Sequence, residues 1–551
     1  MSSNEFDEQK DRASEEEVLE GEELLDGEEQ EEQEEKDDKE PNGAIGWFIS
    51  IGMHALFALI FYYAVFAAKE KDQELPPMRV TTIDPPPKKE DKKDLERTID
   101  NKVEINVATE ADVAAPINNL EVPVEEKTET EEDTEAEVNK GREEAVASSE
   151  MGSTGAFMAI GAGGGAAGMF GNRSGGGKRR ALVKGGGSRA SESAVDAALR
   201  WFKRHQSPNG MWDTEKYPVN CTETPKCEPG GNANEHGSDA NVACTGYAVL
   251  CFLGAGYDHK TPNKYKTTVE KGLEYLRSIQ TAEGELGPRN YEHAVATMAV
   301  AEAYAMTNDA ELKGPAQKGL NILMERQAKD GKGDSGGGLG WNYKGATPSR
   351  NDSSVTGWCV MALKSGLAGG LNVGNSMEGA KNWLEKAWKA SNPDWQKLTD
   401  PYTAMSGFPY CYDAVADKID EHEPTRMCMG ALCAVFLGHH SGDIMLDSMI
   451  NAIMAKNFIK GYPTNTYYMY YNTLAVFQAG GAHWEKWNGT CRDVIVNAQR
   501  KGDGCFDGSW DPQGTGPSDK IGRVLNTAFC CLSLEVYYRY KQVGAKVPPA
   551  K

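Results

Sequence analysis

Residues 194–212 read AVDAALRWFKRHQSPNGMW. Val195, Ala198, Leu199 and Phe202 recur with helical spacing, so the stretch opens as an amphipathic helix. Ser193 and Asp196 fit a capping box at its start. The helix stops at His205 and Gln206, and Ser207-Pro208-Asn209-Gly210 turns the chain into Met211-Trp212. Glycine supplies the positive φ that such a turn requires. The glutamine amide is placed to cap a helix end, and the tryptophan to pack across it.

The same ending recurs down the chain. Gln280 is followed by Gly284, Gln327 by Gly331 and then Gly340-Trp341, and Gln499 by Gly504 and then Gly508-Ser509-Trp510. Between these units lie stretches that are apolar nearly all round, at 242–253, 294–305, 355–367, 427–437, 467–477 and 524–538. Helices of that kind are buried ones. Amphipathic helices are expected near 194–205, 265–280, 311–327, 376–390, 442–456 and 484–499. Six pairs at a spacing of roughly 50–60 residues indicate a repeat architecture. The predicted fold is all-α, an α6/α6 toroid of helical hairpins at 190–545.

Turns of the form Gln-x-x-x-Gly-x-Trp resemble the QW repeats of the squalene–hopene cyclase and protein prenyltransferase β-subunit superfamily. AVDAALRWFKRHQSPNGMW and SSVTGWCVMALKSGLAGG (353–370) look most like bacterial membrane-anchored prenyltransferase/squalene oxidase repeat proteins. The turn residues at issue are Gln206, Gly210, Trp212, Gln327, Trp341, Gln499, Gly508 and Trp510. The superfamily's chemistry leaves signatures that can be sought. Class II cyclases use a DxDD acid, and none occurs here. Prenyltransferases bind zinc through Asp, Cys and His, but Asp507-Gly508-Ser509 stands where Asp-Gly-Cys is expected, and Asn526 where the His is expected. The Cys-Gly-Glu-Gln of thioester domains is also missing. No cofactor and no metal is expected; the toroid reads first as a non-catalytic binding module, the alternative being a divergent terpenoid- or lipid-cyclase-like or polysaccharide-active enzyme working in the toroid cavity.

Candidate acid–base residues remain on or near the apolar helices: Asp239, His293, Glu302 and Asp352, with Thr356 beside them. The alternative reading is that they cap those helices and satisfy buried backbone groups. His439-His440 reads as a helix C-terminal cap. Tyr467, Tyr468, Tyr470 and Tyr471 form a stripe that suits either a core or a ligand cavity.

The remainder of the chain is differently built. Residues 1–43 hold 20 acidic and 4 basic side chains, two thirds of the formal net charge of −24. Nucleic-acid binding is thereby excluded, because it needs a basic face. Residues 44–68, AIGWFISIGMHALFALIFYYAVFAA, carry no charged side chain, and roughly 20 such residues cross a bilayer. Residues 69–150 are acidic and poor in aromatics, and read as a disordered linker. Residues 151–189 are Gly-rich and read as a flexible extension of it. The tract's GxGxxG-like patterns follow from composition, with no strand before them.

Ser50 and His54 lie four apart within the apolar run and share one helix face. With the following LPPMRVTTIDPPPKKEDKKDLE (75–96), they resemble energy transducers of the TonB/TolA group. That resemblance implies a cytoplasmic N-terminus, a periplasmic toroid, inner-membrane anchoring and contact of Ser50 and His54 with an ExbB/ExbD-type proton-channel motor. The lysines and arginine after the span pull the other way under the positive-inside rule. The toroid's expected partner is a hydrophobic ligand, an envelope polymer or a protein.

All 12 cysteines lie at or after Cys221, and no two stand in a CxxC pair. Most read as small core residues. Cys221 and Cys227 lie in a polar loop and are a candidate disulfide, with Cys491 and Cys505 a second pair.

Overall fold

The computed structural model describes residues 172–173, 175–231, 240–330, 337–420, 427–512 and 520–542. The acidic tail, the apolar run with Ser50 and His54, and residues 69–150 lie outside the described residues, as does Asp239. Among the described residues no helix is long and apolar enough to cross a membrane.

Ordered structure starts earlier than residue 190. Helix α1 (Gly175–Gly185) lies inside the stretch expected to be a flexible Gly-rich linker. Its glycines serve close approach. A Cβ on Gly185 would sit 2.9 Å from the Tyr537 ring, and the Gly185 carbonyl accepts a 2.8 Å bond from the Trp484 indole. Helix α2 (Arg189–His205) is capped by Ser188, whose hydroxyl accepts from the Ser191 amide while Ser191 Oγ accepts from the Ser188 amide. The expected box at Ser193 and Asp196 is therefore corrected. Asp196 lies on the outer face of α2, where it pairs with Arg200 and Lys264.

Six buried helices follow among the described residues: α3 (Ala240–Gly254), α5 (Asn290–Thr307), α7 (Ser353–Ala368), α9 (Met427–Phe436), α11 (Thr466–Ala479) and α13 (Arg523–Leu534). Their partners are α2, α4 (Lys266–Ile279), α6 (Ala310–Glu325), α8 (Ser376–Ser391), α10 (Ile444–Lys456) and α12 (Gly481–Ala498). Each inner helix packs on the next, and α13 packs on α3, so the ring closes. Small residues permit this spacing. A Cβ on Gly246 of α3 would lie 3.0 Å from Val295 of α5. The last inner helix is shorter than its apolar pattern predicts, because it breaks at Glu535 and resumes as α14 (Val536–Arg539).

A small antiparallel sheet braces one inner helix. Strand β1 (Asn351–Asp352) pairs with β2 (Cys411–Asp413), which pairs with β3 (Lys418–Ile419). It fixes the chain immediately before α7.

Candidate functional site

The Gln-Gly-Trp turns make one repeated set of contacts. The side-chain amide of each glutamine donates twice: to a carbonyl of its own turn, and to a carbonyl early in another outer helix. Gln206 reaches Gly210 O (3.0 Å) and Thr268 O (2.9 Å), and Gln327 reaches Leu339 O (2.7 Å) and Ser376 O (2.8 Å). Gln280 does the same with Gly284 O and Pro315 O, both at 3.0 Å. Each tryptophan indole donates back to the outer helix before it: Trp212 to Phe202 O, Trp341 to Leu323 O and Trp510 to Ile495 O. Glycine is required at the turn. Gly210 has φ +91°, and a Cβ there would sit 2.0 Å from Lys271 O.

The tryptophan amides identify what Thr356 does. Trp341 N–H donates to Thr356 Oγ1 at 2.9 Å, as Trp212 donates to Thr245 (3.0 Å) and Trp510 to Thr527 (3.3 Å). In the second turn Leu286 replaces the tryptophan, and its amide donates to His293 Nδ1 at 3.0 Å. His293 Nε2 then donates to Gly319 O at 2.9 Å. Both ring nitrogens are thus engaged, and burial pulls the imidazole pKa down to about 4, leaving the ring neutral. His293 links a turn to α6.

Glu302 and Asp352 are also tied into the fold. Glu302 accepts from Arg173 at 2.6 Å and Arg539 at 3.2 Å, and Arg539 also pairs with Glu535 at 3.4 Å. Arg173 further donates to Leu253 O and Arg539 O, so the chain two residues before α1 is bound among the C-terminal ends of inner helices. Asp352 is the N-cap of α7. Its Oδ1 accepts from the amides of Ser354 (2.9 Å) and Val355 (3.2 Å) and from Ser354 Oγ (2.5 Å). Burial nevertheless raises its pKa above the usual carboxylate value, against the hydrogen bonds that lower it. Beside it the hydroxyls of Tyr343 and Tyr410 meet at 2.9 Å. Asp239 cannot be placed with them, being outside the described residues.

Aromatic side chains fill the space between the inner helices. Trp358 lies 5.0 Å from Tyr247, 5.5 Å from Tyr471 and 6.2 Å, stacked, from Tyr470. Phe529 stacks on Tyr470 at 5.8 Å and meets Tyr467 edge-on at 5.4 Å. Trp358, Tyr471 and Phe529 are fully inaccessible to water. Burial pushes the phenols of Tyr247, Tyr467, Tyr470 and Tyr471 well above their ordinary pKa, so all four stay neutral. The tyrosine stripe is core, apart from half-buried Tyr468.

The expected cysteine pairings are corrected. Cys221, Cys227, Cys491 and Cys505 are free thiols, and all are buried. Cys491 contacts Thr473, not Cys505. Cys221 and Cys227 gather around His205, the last residue of α2. His205 Nε2 is 3.3 Å from Cys221 Sγ and 3.7 Å from Cys227 Sγ. These three ligand atoms lie within 4.8 Å of one another, a spacing that suits a metal ion, contrary to the expectation of no metal site. Sequence spacing concealed the group. The two cysteines are six apart rather than three, and the histidine is 16 residues before the first.

Residues 180–415 match the model of the squalene-hopene cyclase C-terminal domain. Over that stretch the toroid is similar to the squalene-hopene cyclase C-terminal domain. No curated protein matches the chain. Among solved structures, the α-1,6-mannanase GH76A of Salegentibacter sp. HEL1_6 is 13% identical, with a TM-score of 0.41, over 63% of this chain and 98% of its own. The unsaturated glucuronyl hydrolase of Bacillus sp. GL1 is 11% identical, with a TM-score of 0.41, over 63% of this chain and 96% of its own.

In this squalene–hopene cyclase-like toroid, the positions that match prenyltransferase zinc ligands are otherwise engaged. Asn526 donates to Asp511 O (2.8 Å) and the Tyr462 hydroxyl (2.6 Å), and accepts from Thr466 Oγ1 (2.7 Å). Ser509 Oγ donates to Phe506 O and accepts from Arg523. An asparagine amide and a hydroxyl are poor substitutes for imidazole and thiolate, so the catalytic metal of prenyltransferases does not fit these residues.

Proposed function

We propose that this chain is a single-pass inner-membrane protein that presents its toroid to the periplasm as a non-catalytic binding module. Its 44–68 segment couples the toroid, through Ser50 and His54, to an ExbB/ExbD-type motor. The observation that carries the binding reading is the filled centre of the toroid. Trp358, Tyr471 and Phe529 occupy the space a substrate would need, with no exposure to water. His293 and Glu302 are consumed by structural hydrogen bonds and ion pairs. Recognition then falls to the outer surface of the ring, for an envelope polymer, a protein or a hydrophobic ligand. The membrane and motor parts rest on the apolar run and on its Ser-x-x-x-His face.

The test is crosslinking and co-purification of the full-length protein from its native membranes, with and without His54→Ala. ExbB/ExbD-type subunits recovered with the parent and lost with the variant support the coupling. The same subunits recovered with both, or with neither, sink it.

One observation favours a second reading. Asp352 keeps a raised pKa beside the Tyr343–Tyr410 hydroxyl pair, which suits a proton donor in an isoprenoid or lipid cyclase, or in a polysaccharide-active enzyme. Turnover of a polyprenyl, lipid or polysaccharide substrate that disappears in Asp352→Asn would establish it. Turnover undiminished in that variant would remove it.

A further inference from the structure

The Cys/His group lies at the seam of the ring. His205 ends α2, the first outer helix. Cys221 and Cys227 belong to the loop after it. Cys505 sits in the short 3-10 turn Gly504–Phe506, between the last outer helix α12 and the last inner helix α13. We propose that His205, Cys221, Cys227 and Cys505 bind one structural zinc ion that locks this seam.

The spacing is that of a ligand shell. Zinc bound tetrahedrally at about 2.3 Å from sulfur and about 2.0–2.1 Å from nitrogen places neighbouring ligand atoms roughly 3.5–3.8 Å apart. Nε2 of His205 stands 3.3 and 3.7 Å from the two sulfurs. Cys505 lies outside that triangle, and its carbonyl accepts from Cys227 Sγ at 3.2 Å. It supplies the fourth ligand of a Cys3His set.

The surroundings orient these atoms. His205 Nδ1 lies 2.8 Å from Trp201 O. A carbonyl only accepts, so Nδ1 carries the proton and Nε2 turns its lone pair to the sulfurs. This is how metal-binding histidines are held. Backbone amides are aimed at two sulfurs. Cys227 N–H donates to Cys221 Sγ at 3.4 Å, and Glu223 N–H to Cys505 Sγ at 3.1 Å. Such donors stabilise thiolate charge. All four ligand residues are buried, so the site is closed and structural rather than open to substrate.

The local backbone has been shaped to bring Cys505 in. Cys505 N–H donates to Pro225 O at 3.0 Å, and Cys227 Sγ to Cys505 O at 3.2 Å. Gly504 has φ +52°, and a Cβ there would sit 2.5 Å from the Thr224 carbonyl carbon. A Cys221–Cys227 disulfide would waste this arrangement. It would leave the His205 lone pair buried with no donor. The four ligand residues are not the prenyltransferase positions Asp507, Ser509 and Asn526.

The experiment is metal analysis of the full-length protein, purified in detergent without a polyhistidine tag. One zinc per chain is expected by plasma mass spectrometry. Zinc-edge X-ray absorption should then show a shell dominated by sulfur near 2.3 Å, with nitrogen near 2.0–2.1 Å. Cys227→Ser should lose the zinc, whereas Cys433→Ser, a buried cysteine elsewhere, should keep it. Since Cys227→Ser could also unfold, the absorption spectrum of the parent protein decides independently. Protein that neither contains nor takes up zinc overturns the proposal. So does a disulfide between any two of Cys221, Cys227 and Cys505, or a zinc shell of oxygen and nitrogen alone.

Discussion

Gln499 in the last turn donates its side-chain amide to Ala194 O in α2, at 2.7 Å and 305 residues earlier in the chain. The same amide donates to Gly508 O at 3.0 Å. The final repeat thus grips the first through the contact that the other turns use between neighbours. A local motif of helix end, turn and tryptophan becomes the device that closes the ring.

Replacing Gln499 with alanine leaves two carbonyls without that donor. Each such hydrogen bond contributes about 0.5–1.5 kcal/mol net, so Gln499→Ala should lower unfolding stability by roughly 1–3 kcal/mol. Denaturant titration of the full chain, followed by tryptophan fluorescence, measures the loss. Hydrogen exchange should rise together in α2 and in residues 500–510, although they are far apart in sequence. A rise confined to residues 500–510 would mean that the seam is held by other contacts.

His293 makes stability depend on acid. Its pKa in the fold is about 4, lowered from 6.5 by burial. A histidine with a lowered folded pKa takes up its proton more readily when unfolded. Its contribution is therefore intact above pH 6.5 and is lost as pH falls to about 4. The full shift corresponds to about 3 kcal/mol. His293→Gln should flatten the stability profile through this window. An unchanged slope in the variant would assign the acid sensitivity elsewhere.

The buried ion cluster predicts a non-additive pair. Arg173→Met removes a 2.6 Å partner from Glu302 and leaves Arg539 to carry it alone. Breaking a buried pair costs about 3–5 kcal/mol. Adding Glu302→Gln removes the under-compensated charge, while Arg539 retains Glu535. The double variant should be no less stable than Arg173→Met alone. Additive losses in a double-mutant cycle would show that the two side chains act independently.

Asp352 separates cap from chemistry. Asparagine can accept the same amide bonds at an N-cap, whereas alanine cannot, at a cost of about 1–2 kcal/mol. Asp352→Asn should therefore stay near parent stability and Asp352→Ala should fall by that amount, as read by thermal unfolding. Equal losses in both would mean that the charge or the acid proton, rather than the cap, is what α7 requires.

Much of the fold was legible in the chain because its signals are local. Apolar faces repeat every turn or two, and Gln206, Gln327 and Gln499 each sit at a helix end before a glycine. Short-range periodicity is enough to separate inner from outer helices, and Gln-Gly-Trp spacing to suggest a toroid. The Gly-rich stretch misled for a related reason. Composition says that glycine loosens a free chain, but it cannot say that Gly185 must fit against Tyr537.

Sequence by itself determined the helix pairs, the turn chemistry and the apolar run at 44–68. Tertiary structure alone decided what depends on residues distant in the chain. It engaged His293 with Leu286 and Gly319, and it surrounded Glu302 with Arg173 and Arg539. It also brought Cys505 to Cys227 across the seam. Local periodicity is written in backbone geometry, whereas ring closure depends on side chains separated by the whole domain.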